Sequence, residues 1–170
     1  MIEVKNIYKS FNKTQVLNKI DTIFYRGKTN LIIGQSGSGK TVLLKCLLGL
    51  YEVDLGEILY DGISSKNMGI NEKLEISRQM GMVFQGSALF DSMNVLENVR
   101  FPLDMLTEID ENEKNERALK FIERVNLKDA IEKLPSELSG GMQKRVAIAR
   151  AIVMNPKYLF CDEPNSGLDP

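Results

Sequence analysis

None of the 170 residues of this sequence is histidine, and cysteine occurs only twice. The lack of histidine excludes a catalytic triad that depends on histidine and a metal centre with histidine ligands. Cys46 and Cys161 each lie in an apolar stretch, and we expect both to be small core residues that form neither a disulfide nor a metal site. Any chemistry that this chain performs must therefore come from side chains other than histidine and cysteine.

An excess of charge of one sign and long apolar runs are also missing. The 22 basic and 23 acidic residues give a net charge of −1, which provides no general attraction to nucleic acid or to anionic lipid headgroups. No apolar run approaches the length that spans a bilayer, and Met1–Val4 does not resemble an export signal. We therefore expect one globular unit in the cytosol, with a core supplied by the 43% of residues that are hydrophobic.

A glycine-rich segment, Gly34–Thr41, is the most informative feature that is present. Its sequence, GQSGSGKT, matches the phosphate-binding pattern G-x-x-x-x-G-K-[S/T] at every position. Glycines allow backbone N–H groups to surround phosphate oxygens, and a helix after the loop directs the positive end of its dipole at the same anion. Lys40 is expected to reach the β- and γ-phosphates, and the Thr41 hydroxyl is expected to bind Mg²⁺. The segment predicts a site for a nucleoside triphosphate.

The pattern of apolar residues places this loop between a strand and a helix. Asn30–Ile33 predicts a buried strand before the loop, and Lys40–Leu50 predicts an apolar helix after it. Other strands are predicted over residues 2–4, 16–24, 56–62, 81–85 and 158–161, with turns at 12–13, 26–27 and 61–62. Residues 87–155 have a mainly helical pattern.

An acidic pair, Asp162 and Glu163, follows the last predicted strand. A carboxylate at the C-terminal end of a buried strand beside a phosphate loop can hold Mg²⁺ through water, and Asp162 is the candidate for that role. Glu163 is the candidate general base that polarises the attacking water. Taken alone, such a pair would equally well mark a strand that ends at the surface. Together with the phosphate loop, it predicts hydrolysis of the nucleotide.

A third motif, Leu138–Gln143, reads LSGGMQ. Ser139 is suited to cap the helix that follows, and Gly140 and Gly141 permit close approach of the backbone to an anion at the start of that helix. This motif precedes the acidic pair, and Asn165–Asp169, reading NSGLD, follows the pair. The combination resembles the nucleotide-binding domain of ABC ATPases, over the whole length of the chain.

This resemblance implies an α/β fold of the P-loop NTPase type, with a RecA-like core, an N-terminal antiparallel β subdomain and a helical subdomain. Residues 1–170 would form a single ABC ATPase domain. Residues 1–86 would supply the β layer and phosphate-loop core, 87–155 the helical subdomain with the signature motif, and 156–170 the Walker B strand and D-loop. Because the switch histidine and the last strands and helices of the family are missing from the sequence, we expect a truncated chain that alone hydrolyses ATP poorly or not at all.

The resemblance also assigns roles to individual residues. Phe11 lies where the family carries an aromatic residue that stacks on adenine, Gln85 matches the glutamine that touches Mg²⁺ and senses a membrane partner, and Asp169 matches the D-loop aspartate. The implied ATP-binding residues are Phe11, Val16, Gly34, Gln35, Ser36, Gly37, Ser38, Gly39, Lys40 and Thr41. The implied metal-binding residues are Thr41, Gln85 and Asp162, and the implied catalytic residues are Glu163, Lys40 and Gln85.

The family resemblance further implies a head-to-tail homodimer that binds ATP between Gly34–Thr41 of one copy and Ser139, Gly140 and Gly141 of the other. An integral-membrane permease is the second expected partner, and no nucleic acid is expected. The location implied is cytoplasmic, peripheral on the inner face of the plasma membrane.

A finer likeness concerns residues 39–45, 84–95 and 98–103, which look like the ATPases of Mla-type bacterial phospholipid transporters. It favours phospholipid or another hydrophobic substrate. The apolar residues Ala88, Leu89, Phe90 and Met93 either form a groove for a cytoplasmic helix of the permease or pack the helical subdomain.

Two other functions stay open at this point. One is a soluble ABC ATPase that acts on nucleic acid or on the ribosome, although residues 86–137 leave little room for the insertions of those relatives. The other is a non-hydrolysing remnant, for which Lys40→Ala would have no effect in the cell.

Overall fold

The computed structural model describes residues 1–163 of the chain. They form two compact units, one of residues 1–77 and a second that begins at Arg78. The first contains β1 (Ile2–Phe11), β2 (Thr14–Phe24), α1 (Lys40–Leu47), β3 (Leu55–Tyr60), β4 (Ile63–Ser64) and α2 (Ile70–Arg78), which ends at the boundary. The second contains β5 (Met80–Val83), α3 (Val95–Leu106), α4 (Glu111–Arg124), α5 (Gly140–Ile152) and β6 (Tyr158–Cys161), with 3₁₀ turns at Lys128–Ala130 and Pro135–Glu137. Within residues 1–163, no helix has both the length and the apolar character needed to cross a membrane.

The first unit is built on an antiparallel sheet with the strand order β2–β1–β3–β4. Two tight turns join neighbouring strands, and both use left-handed residues, as a type I′ hairpin turn requires. Asn12 and Lys13 connect β1 to β2 with φ of 45° and 69°, and Asp61 and Gly62 connect β3 to β4 with φ of 48° and 86°. Both lie where the sequence predicts turns, and the predicted antiparallel β subdomain is confirmed.

Helix α1 is fixed in the first unit by its buried residues. The side chains of Leu43, Leu44, Cys46 and Leu47 are all buried, which confirms the prediction for Cys46. Complete burial of a leucine side chain contributes roughly 1.5–3 kcal/mol. The Tyr60 hydroxyl also donates a hydrogen bond to the Leu47 carbonyl at 2.6 Å, and this bond ties β3 to the end of α1.

The segment before the phosphate loop differs from its prediction. Asn30–Ile33 belongs to no strand, and the side chains of Leu31 and Ile33 are 79% and 85% exposed. A strand requires hydrogen bonds to a neighbouring strand, and within residues 1–163 the two sheets pair only among β1–β4 and between β5 and β6. The predicted buried strand is therefore wrong, because an apolar pattern alone does not provide a pairing partner.

The second unit joins a parallel strand pair to three helices. Strands β5 and β6 pair in parallel, with Val83 opposite Cys161, so the predicted strand at 158–161 is present. Its burial is less than predicted, because Phe160 is buried whereas Leu159 and Cys161 are exposed. The core residue role predicted for Cys161 is thus wrong, since this strand has a neighbour on one side only among the described residues. The helical core consists of Val95, Val99, Leu103, Ala118, Phe121, Ile122, Leu127, Ala130, Leu138, Val146, Ala149 and Val153.

Replacing Gly81 by alanine is expected to destabilise the second unit by about 3 kcal/mol, the upper part of the range for an overpacked core. A β-carbon at Gly81 would lie 2.2 Å from the carbonyl oxygen of Ala151 and 3.0 Å from the ring of Pro156. The backbones of β5 and α5 would have to separate. Urea unfolding measures the effect, with Gly69→Ala as the control, since its β-carbon would meet Glu72 at an ordinary 3.7 Å. Equal stability of the two variants would contradict the packing described.

Candidate nucleotide-binding site

The phosphate loop of the first unit leads directly into helix α1. Gly39 occupies the N-cap position with φ of 94°, and among the described residues no side chain caps this helix end. A β-carbon on Gly39 would lie 3.1 Å from side-chain atoms of both Val16 and Leu17. Strand β2 therefore packs against the base of the loop, and Val16 lies beside the predicted phosphate site. The N–H groups at the start of α1 suit an anion.

Lys40 closes the loop on itself. Its ammonium group donates hydrogen bonds to the carbonyl oxygens of Gly34 and Gln35, each at 2.9 Å. The backbone N–H of Ser38 donates to the Gln35 carbonyl at 3.2 Å, which completes the turn. Residues 34–38 are exposed to solvent, as is Thr41 in the first turn of α1. The lysine thus already faces the inside of the loop, where phosphate oxygens would be stronger acceptors than carbonyls.

Phe11 lies at the end of β1, where it pairs with Thr14 across the hairpin. Its ring is 38% exposed and packs edge-on against Tyr51, with 5.2 Å between the ring centroids. The Lys9 ammonium lies 5.4 Å from the centre of the Phe11 ring. The exposed part of the Phe11 ring is compatible with stacking on a base. Nothing in the sequence marks Tyr51 as the residue that packs against Phe11.

Asp54 is a supporting residue that sequence reasoning missed. Its carboxylate accepts hydrogen bonds from the Lys9 ammonium at 2.8 Å and from the Ser10 N–H at 2.7 Å. Both donors immediately precede Phe11 on β1. The hydrogen bond from Lys9, followed by that from Ser10, lowers the pKa of Asp54, and the same contact raises the pKa of Lys9. Asp54 therefore fixes the strand end that presents Phe11.

Replacing Asp54 by asparagine is expected to lower the melting temperature at neutral pH but not in strong acid. Because folding lowers the pKa of Asp54 from its ordinary 3.8, its carboxylate stabilises the fold fully above the unfolded-state pKa. That contribution disappears as the pH falls through the folded-state pKa. The difference between the melting temperatures of the two proteins, measured from pH about 7 to about 2, should therefore shrink as the pH falls below the unfolded-state pKa. A gap that stays constant over this range would contradict the role of the ion pair.

In the second unit, parallel pairing brings three predicted site residues to one end of the small sheet. The N–H of Asp162 donates to the Val83 carbonyl at 3.0 Å, which extends the ladder by one residue. The Gln85 side-chain amide then donates to a carboxylate oxygen of Glu163 at 2.8 Å, across 78 positions of sequence. Glu163 has φ of 46°, a conformation that costs about 1 kcal/mol or more for a residue with a β-carbon. Gln85 and Glu163 are thus held in contact beside Asp162.

The oxygen donors at this end of the sheet fit a magnesium ion. Asp162 supplies a carboxylate that is only 7% exposed, and Gln85 supplies an amide oxygen. Mg²⁺ prefers hard oxygen ligands of these types and keeps several waters. The residues present are therefore chemically suited to the predicted ion.

The signature segment caps helix α5. The Ser139 side chain accepts a hydrogen bond from the N–H of Met142 at 3.3 Å, as its sequence predicts. In the part of the chain that the structure describes, open space surrounds the positions where Gly140 and Gly141 would carry a β-carbon. The Gln143 amide donates to the carbonyls of Pro135 and Leu138 and thereby holds the preceding turn. The helix start is accessible to an anion.

The predicted site residues are divided between the two units. Residues Phe11, Val16 and Gly34–Thr41 belong to the first unit, and residues Gln85, Ser139–Gly141, Asp162 and Glu163 belong to the second. Asp169 and the rest of the NSGLD motif lie outside the described residues. Of the four apolar residues near Gln85, Leu89 packs on the helical core and Met93 is half-buried, whereas Ala88 and Phe90 are exposed.

A family model described as ABC transporter matches residues 17–166. The match covers most of the chain, which therefore belongs to the ABC transporter family. This membership confirms the family predicted from the phosphate loop, the LSGG motif and the acidic pair.

Two curated relatives define the similarity more closely. The glutamine transport ATP-binding protein GlnQ of Escherichia coli (strain K12) is 43% identical over 170 residues, which are 100% of this chain and 70% of that protein. The probable ribonucleotide transport ATP-binding protein mkl of Mycobacterium leprae (strain TN) is 40% identical over 169 residues, 99% of this chain and 49% of that protein. The chain thus spans between about half and seven tenths of the length of these relatives.

Solved structures agree with the predicted fold. The dimeric structure of a bacterial ABC transporter cassette has a TM-score of 0.89 at 33% identity and covers 99% of this chain and 76% of that one. The same cassette in a post-hydrolysis state bound to ADP and Pi gives a TM-score of 0.89 at 32% identity, with the same coverage. The α/β fold of the P-loop NTPase type is therefore confirmed.

Proposed function

We propose that this chain is the ATP-binding and ATP-hydrolysing subunit that energises a membrane transporter. The observation that carries the proposal is the contact between Gln85 and Glu163 at the ends of neighbouring parallel strands. Glu163, the proposed general base, and Gln85, the residue proposed to respond to a partner, are hydrogen-bonded there in a member of the ABC transporter family. The phosphate loop that leads into α1 is the proposed site for the triphosphate.

In the proposed reaction, Lys40 exchanges the carbonyls of Gly34 and Gln35 for oxygens of the β- and γ-phosphates. Glu163 accepts a proton from water while the water oxygen attacks the γ-phosphorus. The bond between that phosphorus and the bridging oxygen breaks, and ADP and phosphate are the products. Asp162, Thr41 and Gln85 are suited to hold Mg²⁺, which when bound neutralises negative charge on the phosphates.

A second copy of the chain completes the proposed site. Ser139, Gly140 and Gly141 of one copy would bind the triphosphate held by the phosphate loop of the other, because the start of α5 is open and favours an anion. Closure on ATP and reopening after hydrolysis would move the permease between two states. The proposed location follows from this partner: cytoplasmic, on the inner face of the plasma membrane.

Phosphate release by the native full-length protein tests this function. We expect release of phosphate from Mg-ATP with a specific activity that falls on dilution, since each site needs two copies. A rate of phosphate release that stays proportional to protein concentration down to the lowest measurable level would contradict the shared site. Absence of release at every concentration would contradict the proposed activity itself.

For the transported substrate we propose phospholipid or another hydrophobic molecule. The support is the likeness of residues 39–45, 84–95 and 98–103 to Mla-type ATPases. Phe90, five positions after Gln85, is exposed. The names of the relatives refer to glutamine, ribonucleotide, methionine and cystine transport in those proteins. Mass spectrometry of small molecules that copurify with the transporter in mild detergent tests the point. Enriched phospholipid together with phospholipid-stimulated turnover is the expected result, and stimulation by an amino acid instead would contradict it.

A further inference from the structure

The segment directly after Gln85 has an unusual backbone. Gly86, Ser87 and Ala88 are three successive residues in the left-handed region, with φ of 76°, 67° and 46°. This conformation is unfavourable for residues with a β-carbon. Local backbone bonds, from Ser87 N–H to the Phe84 carbonyl and from Ala88 N–H to the Gly86 carbonyl, close a tight turn. Such a turn persists only where its surroundings hold it.

Arg150 of helix α5 supplies that support. One terminal nitrogen of its guanidinium donates to the carbonyl oxygens of both Ser87 and Ala88, each at 2.9 Å. These are the two left-handed residues that carry a β-carbon. The guanidinium also lies 5.7 Å from the centre of the Phe90 ring, within the range of a cation–π contact. The guanidinium is partly desolvated, and this burial lowers the pKa of Arg150. Its charge is directed at backbone oxygens.

The rest of the segment is held by a second polar side chain. Asn98 of α3 is completely buried, and its amide oxygen accepts a hydrogen bond from the Phe90 N–H at 2.9 Å. Its amide nitrogen donates to the carbonyls of Phe90, Met93 and Asn94 at 2.8–3.1 Å. The chain after Gln85 is therefore fixed to two helices, first by Arg150 and then by Asn98.

Helix α5 packs closely against strand β5, which ends two residues before Gln85. Ala147 and Ala151 of α5 form a small core with Val83 of β5. The Gly81 backbone approaches the Ala151 carbonyl so closely that a β-carbon would be 2.2 Å away. The first residues of the same helix follow the Ser139 cap of the signature segment. Arg150 thus links the turn after Gln85 to the helix that presents the signature residues.

We propose that Arg150 is a positioning residue for hydrolysis, which acts by holding Gln85 in contact with Glu163. The proposal rests on the proposed ATPase function. Without the guanidinium, the turn at Ser87 and Ala88 loses the bonds that fix it, and the Gln85 amide is no longer directed at the Glu163 carboxylate. Because a displacement of about 1 Å at a reacting group can cost roughly 100-fold in rate, the loss should appear in kcat.

The test uses Arg150→Gln, Gln85→Ala and the double variant in the native full-length protein. Arg150→Gln is expected to lower kcat roughly 10- to 100-fold while the Kd for ATP, which depends on the first unit, changes little. In the Gln85→Ala background the same change should reduce kcat by less than about threefold, because residues that act through one another are not additive. Arg150→Lys, which keeps a charged donor, should recover part of the rate.

Arg145→Gln is the matched control, since Arg145 lies on the same helix and donates to a backbone carbonyl elsewhere, that of Val125 at 3.3 Å. It should leave kcat nearly unchanged. Hydrogen exchange of the peptide that spans residues 84–90 adds a readout without turnover: Arg150→Gln should accelerate exchange there and Arg145→Gln should not. Additive effects of Arg150→Gln and Gln85→Ala, or unchanged exchange in residues 84–90, would overturn the proposal. A wild-type protein with no turnover would overturn the proposed function as well, and is recognised before any variant is compared.

Discussion

Replacing Lys40 by alanine is expected to weaken binding of Mg-ATP by roughly 10- to 100-fold. Charge-assisted hydrogen bonds to phosphate contribute roughly 1.5–3 kcal/mol, and 1.4 kcal/mol corresponds to a factor of ten in affinity. The ammonium of Lys40 already points into the loop, where it is held by the carbonyls of Gly34 and Gln35. Its loss removes the ammonium group of the loop and the two hydrogen bonds that it donates there. Isothermal titration with Mg-ATP measures the change.

The control for this prediction is Lys45→Ala. Lys45 lies on the same helix and carries the same charge, but its ammonium lies 5.4 Å from the centre of the Tyr51 ring. The affinity for Mg-ATP should change by less than about twofold, as for a distant surface charge. Equal losses of affinity for Mg-ATP in the two variants would mean that general positive charge attracts the nucleotide. Unchanged affinity in Lys40→Ala would mean that the phosphate loop does not bind the nucleotide.

Replacing Glu163 by glutamine is expected to lower the rate of ATP hydrolysis by roughly 10²–10⁴-fold, the usual contribution of a general base. The substitution is nearly isosteric, and the new amide oxygen can still accept the hydrogen bond from Gln85 that the carboxylate accepts at 2.8 Å. The geometry is therefore retained while the proton acceptor is lost. Binding of ATP should persist, and ATP should accumulate in a closed dimer. Single-turnover phosphate release and light scattering with ATP measure the two effects.

Glu123→Gln is a suitable control for the carboxylate change. Glu123 is exposed on α4 and forms a surface pair with Lys128 at 3.5 Å, and such pairs contribute little. Its turnover should match that of the unchanged protein. Turnover of Glu163→Gln at the rate of this control would require another general base.

Short-range features of the fold could be predicted from the sequence, because local chemistry determines them. The Asp61-Gly62 turn needs two left-handed residues, and Ser139 needs only a helix after it to act as a cap. Strand β1 was predicted too short, over 2–4 instead of Ile2–Phe11. Asn6 in the left-handed region and shifts of register with β2 interrupt the alternation that marks a strand.

Features that depend on distant partners could not be predicted in the same way. Leu31 and Ile33 have the pattern of a buried strand but lack a neighbour among the described residues, and Cys161 lies on a strand with one open side. The contact of Arg150 with Ser87 and Ala88 spans more than 60 positions, and the local sequence of α5 gives no sign of it. The candidate site was predictable where a motif specifies backbone geometry, and its supporting residues were not.

Identification of what copurifies with the native protein is the sharpest test of whether this chain drives a membrane transporter with ATP. The tagged protein would be isolated from its own cells in mild detergent, with and without Mg-ATP, and the bound components identified by mass spectrometry. We expect an integral-membrane protein in a fixed ratio to this chain, with ATP turnover in the complex that Glu163→Gln abolishes. Nucleic acid or ribosomes in place of the membrane protein would contradict it.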